Sequence, residues 1–391
     1  MNLSALVPLL LLLIAAMVMD FRAAHAEDLP KFTADEIARV ATLGPWPPEF
    51  KPDPANRVSG KPPAIELGRR MFSDARMSPV GYIGCVTCHQ PDRAFTDLRA
   101  RAHGLADLPR NTPTLANLRL QRWYGWAGAS DSLWMASIRP MLDARELDSS
   151  PAFVKRVFER DPELAACYRK VFGEAPRATR RTVVNVGKAL AAFEETMVTA
   201  RTPFDEFRNT LLALKATQAT SYPASARRGL KIFIGAGGCI ECHAGPNFSD
   251  GGFHRIVAGN IDNDEGRFEA VRIRNASAFN LHSQYNDDRS RGDAHSRSRG
   301  DVRSISRLAS SPALLGQFRT PSLRNVAVTA PYMHDGRTDR LRDAIAHPVP
   351  SAPRSVLSVS QTVDLDAFLQ TLTDRHGERR PWPPTPVSPC P

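Results

Sequence analysis

The chain has 391 residues, 42% of them hydrophobic and 24% charged, with a formal net charge of +10. This length leaves room for two or three ordinary domains, and the hydrophobic fraction is that of a globular protein, which excludes a disordered or fibrous chain. Six cysteines in so long a chain exclude a disulfide scaffold. The positive balance comes without a basic helix or an aromatic-studded basic sheet, so it points to an acidic protein surface and not to nucleic acid.

In chain order, the first element is LSALVPLLLLLIAAMVM, an apolar run followed by Ala24-His25-Ala26, which fits the small-x-small rule for cleavage. It predicts a signal peptide over 1–26, a mature start at Glu27 and export to the periplasm. An uncleaved anchor is the alternative, because no positive charge precedes the run; no later stretch is long and apolar enough to span a bilayer. After an N-terminal segment (27–61), the stretch 65–97 carries Gly68, Phe72, the pentad Cys85-Val86-Thr87-Cys88-His89, then Phe95 and Asp97. The stretch 226–250 repeats this order with Gly229, Phe233, Cys239-Ile240-Glu241-Cys242-His243, Phe248 and Asp250. A unit used twice predicts one task performed twice.

Between the copies the pattern is helical. Ser150-Pro151 and Asp161-Pro162 each place a cap before a proline at the first helical position, and Gly173 closes the second segment. Val183, Val186, Leu190, Phe193 and Met197 follow at helical spacing, and Val363, Leu365, Phe368, Leu369 and Leu372 form a late amphipathic stretch. Strand-like alternation is scarce. The segment 285–307 reads as a mobile polar loop, and 376–391 as a proline-rich tail. Cys167 and Cys390 stand outside the pentads and are a pair or two separate thiols.

A structural zinc site draws four ligands, usually as two pairs about 15 to 20 residues apart. Here each Cys pair is followed at once by His, with no second pair nearby. Covalent haem attachment matches: two thiols reach the two vinyl groups of one porphyrin, and the adjacent His binds the iron. Cys85, Cys88 and His89 are therefore expected to hold one haem c, and Cys239, Cys242 and His243 a second.

With these motifs, and with PRNTPTLAN (109–117), GWAG (125–128), FRTPSLRNVAVTAPYMHDG (318–336) and DAFLQTLT, the chain resembles the bacterial di-haem cytochrome c peroxidases and their MauG-type relatives over about 62–374. The resemblance implies a mainly α protein of two cytochrome c-like helical domains facing each other, a first over 62–215 and a second over 216–375. It implies that His103 caps the first iron and swings away on activation, that Trp126 conducts electrons between the haems, and that Glu146 faces peroxide on the first haem. Ala136 stands where relatives commonly have glutamine. Asn111, Thr329 and Pro331 match an interface calcium site, whose oxygen-only ligation suits Ca²⁺. The far ligand of the second iron falls at Pro348 in register, so His347 is the substitute, with Met333 and Tyr332 behind it. The function implied is reduction of hydrogen peroxide to water with electrons from a small cytochrome c or cupredoxin. The alternatives are a MauG-like oxidase acting on a partner protein's side chain and a non-catalytic di-haem carrier; homodimerisation stays open.

Overall fold

The computed structural model describes residues 31–213, 222–256, 264–288, 314–347 and 356–374. The expected signal segment, the proline-rich tail with Cys390, Pro348 and residues 289–307 of the polar loop lie outside them. The described chain is mainly helical: α1 (Ala34–Ala41), α2 (Pro62–Ser73), α3 (Cys85–Cys88), α4 (Leu133–Leu142), α5 (Pro151–Arg160), α6 (Pro162–Phe172), α7 (Thr179–Glu194), α8 (Pro203–Leu212), α9 (Ala224–Ile234), α10 (Gly266–Ala276), α11 (Leu341–Ala346) and α12 (Val359–Gln370). Short strands β1 (Phe253–Arg255) and β2 (Gln317–Arg319) pair antiparallel, with His254 opposite Phe318. Among the described residues no helix is long and apolar enough to cross a membrane.

The expected caps form. Ser150 accepts from the Phe153 N–H at 3.1 Å, Asp161 from the Glu163 and Leu164 N–H groups at 3.0 Å, and Gly173 ends α6 at φ 73°. Ser358 and Gln361 build a capping box at the start of α12.

Two helix pairs organise the molecule, and they are copies of each other. Gly68 of α2 faces the Ala189 carbonyl of α7, and Gly229 of α9 faces the Asp364 carbonyl of α12. A Cβ on either glycine would lie 2.0 or 1.9 Å from that oxygen, so only glycine lets the helices meet. One turn on, Phe72 meets Phe193 and Phe233 meets Phe368, with ring centroids 5.4 and 5.1 Å apart.

The duplication extends into loops. Thr112-Pro113-Thr114-Leu115-Ala116-Asn117 corresponds to Thr320-Pro321-Ser322-Leu323-Arg324-Asn325. Asn117 and Asn325 both adopt positive φ, 64° and 60°. Their N–H groups donate to the Met197 and Leu372 carbonyls, and their side-chain oxygens accept from the Thr199 and Asp374 N–H groups. This equivalence carries the duplication past the pentads.

The first apolar core gathers α2 and α4 to α7; the second gathers α1, α8, α9, α11 and α12. Helix α8 belongs to the second core although its sequence position places it with the first half. Phe204 and Phe207, one turn apart, bury against Phe248, Phe368 and Tyr222, and Arg324 grips Asp205 through two 2.9 Å contacts. Val40 and Leu43 of the N-terminal segment are fully buried in the same core. The polar loop also begins later than its composition suggests: Asn286 is buried, and Asp287 accepts from Lys188 Nζ at 2.6 Å and from the Arg57 N–H at 2.7 Å. Cys167 is buried and disulfide-bonded, whereas the four pentad cysteines form no disulfide.

Candidate active site: two matched cavities

Each pentad is a single tight turn. Cys85 to Cys88 form α3, Cys239 to Glu241 a 3₁₀ turn, and the following His donates its N–H to the first Cys carbonyl, at 3.0 Å for His89 and 2.9 Å for His243. Each imidazole Nδ1 then lies 3.0 Å from a phenylalanine carbonyl, Phe95 for His89 and Phe248 for His243. Both phenylalanines are at positive φ, 61° and 50°, a region costly for a bulky side chain. Matched strain in both copies marks a functional constraint, which is to aim that carbonyl at the ring. A carbonyl only accepts, so Nδ1 carries the proton and Nε2 keeps its lone pair for a metal. Burial holds both imidazoles below the usual histidine range, which keeps them neutral.

Two cavities of about 270 Å³ each open beside these turns. Cys85, Cys88 and His89 border the first; Cys239, Cys242 and His243 border the second. Asn111, Thr112, Pro113, Thr114, Trp126 and Arg319 line both, so they form the partition. Trp126 is fixed there: its Nε1 donates to the Asn111 carbonyl at 2.8 Å, and its own carbonyl accepts from the Arg319 N–H at 2.8 Å.

The donor chemistry fits a covalently attached porphyrin better than zinc. Burial pushes the Cys85 thiol up to about 12 and the Cys88 thiol to about 11. Among the described residues no three His, Cys, Asp or Glu side chains converge on one point. Two thiols, one imidazole and a partly open cavity beside them, present twice, are what two haems of the c type need.

Glu146 lines the first cavity only, with Arg139, Asp143, Arg145 and Ala136 nearby, and burial raises its carboxyl above the usual range. Its backbone is clamped by the neighbouring loop: the Leu105 N–H donates to its carbonyl at 3.3 Å, and a Cβ on Gly104 would lie 2.8 Å from its Cα. His103 sits in that loop with its side chain exposed, Nδ1 2.6 Å from Asp107 Oδ1, and is not among the cavity-lining residues. Its carbonyl lies 3.6 Å from Cys88 Sγ, so the loop flanks the cavity's edge. His347, Met333 and Tyr332 all line the second cavity, as do Thr329, Pro331 and Asn111; His347 Nε2 is 3.1 Å from Thr338 Oγ1.

The sequence reading missed several groups. Glu194 lines the first cavity near the end of α7, buried, with Ser137 Oγ donating at 3.1 Å; burial pushes it up to about 8. Its neighbour Glu195, accepting from Ser59 Oγ at 2.7 Å, is pushed up to about 7. A signal existed: Glu194 lies four residues after Leu190 and three before Met197, on the apolar stripe. His334, in the position equivalent to Trp126, is buried in the second cavity's wall and stacks on Phe318 at 3.7 Å.

Known proteins resemble this chain in sequence and fold. A family model described as di-haem cytochrome c peroxidase matches residues 62–211. The methylamine utilization protein MauG of Methylorubrum extorquens is 31% identical over 341 residues, which cover 83% of this chain and 82% of that protein. The chain belongs to the di-haem cytochrome c peroxidase and MauG family. Cytochrome c551 peroxidase of Pseudomonas aeruginosa is 28% identical over 87% of this chain and 88% of its own. Among solved structures, a MauG-like protein associated with microbial copper homeostasis superposes with a TM-score of 0.62 at 26% identity, over 86% of this chain and 98% of that one. The diheme peroxidase BthA from Burkholderia thailandensis, at 22% identity and a TM-score of 0.61, shares the fold over 84% of this chain and 88% of its own. Membership makes the protein an oxidoreductase of the haem peroxidase type and implies two haem c groups.

Proposed function

We propose that the protein is an exported, periplasmic peroxidase that reduces hydrogen peroxide to water with electrons from a small cytochrome c or cupredoxin. Cys85, Cys88 and His89 would hold the haem at which peroxide reacts; Cys239, Cys242 and His243 would hold the haem that receives electrons, each in its own cytochrome c-like domain. One observation carries the reading: Trp126 belongs to the walls of both cavities, whereas the raised carboxyl of Glu146 belongs to the first alone. The haems supply the iron that accepts peroxide and the electron storage between donor and substrate.

The chain's own residues do the rest. Cleaving O–O heterolytically requires a proton moved from the inner to the outer oxygen, and a carboxyl whose proton affinity burial raises can take and return it. Ala136, on the same wall, offers peroxide no hydrogen bond, and Glu146 is a buried carboxyl on that wall that would position it. Trp126 provides the aromatic path across the partition. His347, or Met333, would be the far ligand of the second iron, with Tyr332 adjacent. Asn111, Thr329 and Pro331 would coordinate Ca²⁺ at the partition, where the Asn111 amide is oriented by donation to the Arg99 carbonyl at 2.8 Å.

A MauG-like oxidation of a partner protein's side chain is the second reading. It is favoured by His103, whose exposed ring turns to Asp107 and away from the first cavity. The deciding experiment mixes half-reduced protein with peroxide and follows the haem spectra with and without reduced donor cytochrome. Donor oxidation over many turnovers supports the peroxidase. Spectral change on peroxide addition without donor turnover sinks it in favour of the partner-directed oxidase, and no response to peroxide sinks both.

A further inference from the structure

Arg319 is a buried cation without an anion. It is 4% exposed, and its guanidinium reaches only carbonyls: Nε donates to Gly125 O at 3.3 Å and Nη1 to Thr320 O at 3.2 Å. Nη2 has no hydrogen-bond partner among the described residues, and no carboxylate lies within ion-pair distance of the side chain. Absence of an anion is not unique to this side chain, since among the described residues buried Arg267 reaches only the Ala127 carbonyl, whereas Arg324 grips Asp205; but Arg267 lines neither cavity and Arg319 lines both. A buried charge lacking a counter-charge is expensive and persists where a partner arrives from outside the chain. Desolvation pulls Arg319 down to about 10, so it is still a cation at neutral pH.

Its position says what the partner is. Arg319 lines both cavities, and the duplication places it opposite Asn111: the Arg319 N–H donates to the Trp126 carbonyl at 2.8 Å, as the Asn111 N–H donates to the His334 carbonyl at 2.9 Å. The two exchanges knit the partition from both sides and hold the guanidinium at the line where the cavities meet. Of the acids lining the first cavity, Asp143 pairs with Arg145, Glu194 accepts from Ser137 and burial raises the Glu146 carboxyl; none of the three bonds to Arg319. A c-type haem would bring two propionate carboxylates to its cavity, which is the class of anion a guanidinium at the partition suits.

We propose that Arg319 is the counter-charge for haem propionate at the partition, binding carboxylate through Nη2 and so raising the reduction potential of the haem it serves. A planar fork of donors is the side chain suited to a carboxylate. The inference rests on the assignment of one haem to each cavity.

The test compares wild type with Arg319→Met and Arg319→Lys by spectroelectrochemical titration of both haems at several pH values from about 5 to 8, with haem counted by pyridine haemochrome. The expected result is two haems in each protein. In Arg319→Met at least one haem becomes harder to reduce, by about tenfold or more in the reduced-to-oxidised ratio at fixed potential, and that potential acquires a pH slope as the released propionate titrates. Arg319→Lys restores most of the shift. Unchanged potentials and slopes at full haem content overturn the proposal. Should Arg319→Met fail to incorporate haem, wild type still decides: redox-difference infrared spectra with isotope-labelled propionates must show at least one carboxylate unprotonated throughout this pH range, and titration of all of them overturns it. A haem count below two in wild type instead overturns the underlying assignment.

Discussion

Gly68 meets Ala189 so closely that a methyl group on the glycine would stand 2.0 Å from the Ala189 carbonyl oxygen and 2.9 Å from the Phe193 Cβ. Neither obstacle is the movable end of a side chain, so α2 and α7 must separate for any other residue to fit. Gly68→Ala is therefore expected to cost about 3 kcal/mol, the upper end of overpacking. Gly229→Ala faces the same obstruction from Asp364. The two sites share no partner, so the double variant loses close to the sum in a denaturant titration. A loss below about 0.5 kcal/mol at either site contradicts the close crossing.

Cys88→Ala and Cys242→Ala each remove one attachment thiol from a different cavity. Each variant is expected to lose one haem of two in a pyridine haemochrome assay and to unfold at lower temperature, because a group that binds only the folded state stabilises it. Two haems retained after either change refutes the assignment of that turn.

For Glu146→Gln, the expectation is a fall in peroxide-dependent donor oxidation of roughly 10²- to 10⁴-fold, the worth of a positioned proton shuttle. Haem content and the potential of the second haem stay unchanged, since Glu146 borders the first cavity alone. Equal turnover in the two proteins makes the carboxyl structural.

Glu194 sets a pH dependence whose sign follows from burial. Its folded value of about 8 lies above the ordinary 4.5, so between these values the folded protein holds a proton that the unfolded chain has released. Stability from this group is complete at low pH and is lost as pH rises through the interval. Glu194→Gln keeps the Ser137 contact and removes the titration. Denaturant midpoints of the variant minus wild type should rise steadily from about pH 5 to 8; a flat difference shows that Glu194 is ionised in the fold.

Chelation tests the calcium assignment. Asn111 comes from one half of the chain, Thr329 and Pro331 from the other, so an ion bound by all three ties the halves at the partition. Removing it with a strong chelator is expected to slow electron transfer between the haems, measured by flash reduction, and adding Ca²⁺ restores it. Unaltered transfer and spectra leave Asn111 as a residue that orients Trp126.

What the residues alone specify here is local chemistry. Two Cys-x-x-Cys-His turns, repeated Gly and Phe positions, and helix caps at Ser150 and Asp161 are short-range features whose physics is complete within a few residues, so they are legible without a fold. Tertiary structure decided whatever depends on burial or on which distant segment arrives as neighbour. Helix α8 has an apolar face that suits either core, and only Phe248 and Phe368 select the second. The loop of His103 is equally polar whether its ring points into the cavity or, as here, toward Asp107. Glu194 and Arg319 carry ordinary charges in the sequence; their perturbed acidity comes from water excluded by chain far away, a property no local pattern encodes. The equivalence of Asn117 with Asn325 could be spelled from the letters, yet it acquires meaning only when each is seen bonded to the matching end of its own helix pair.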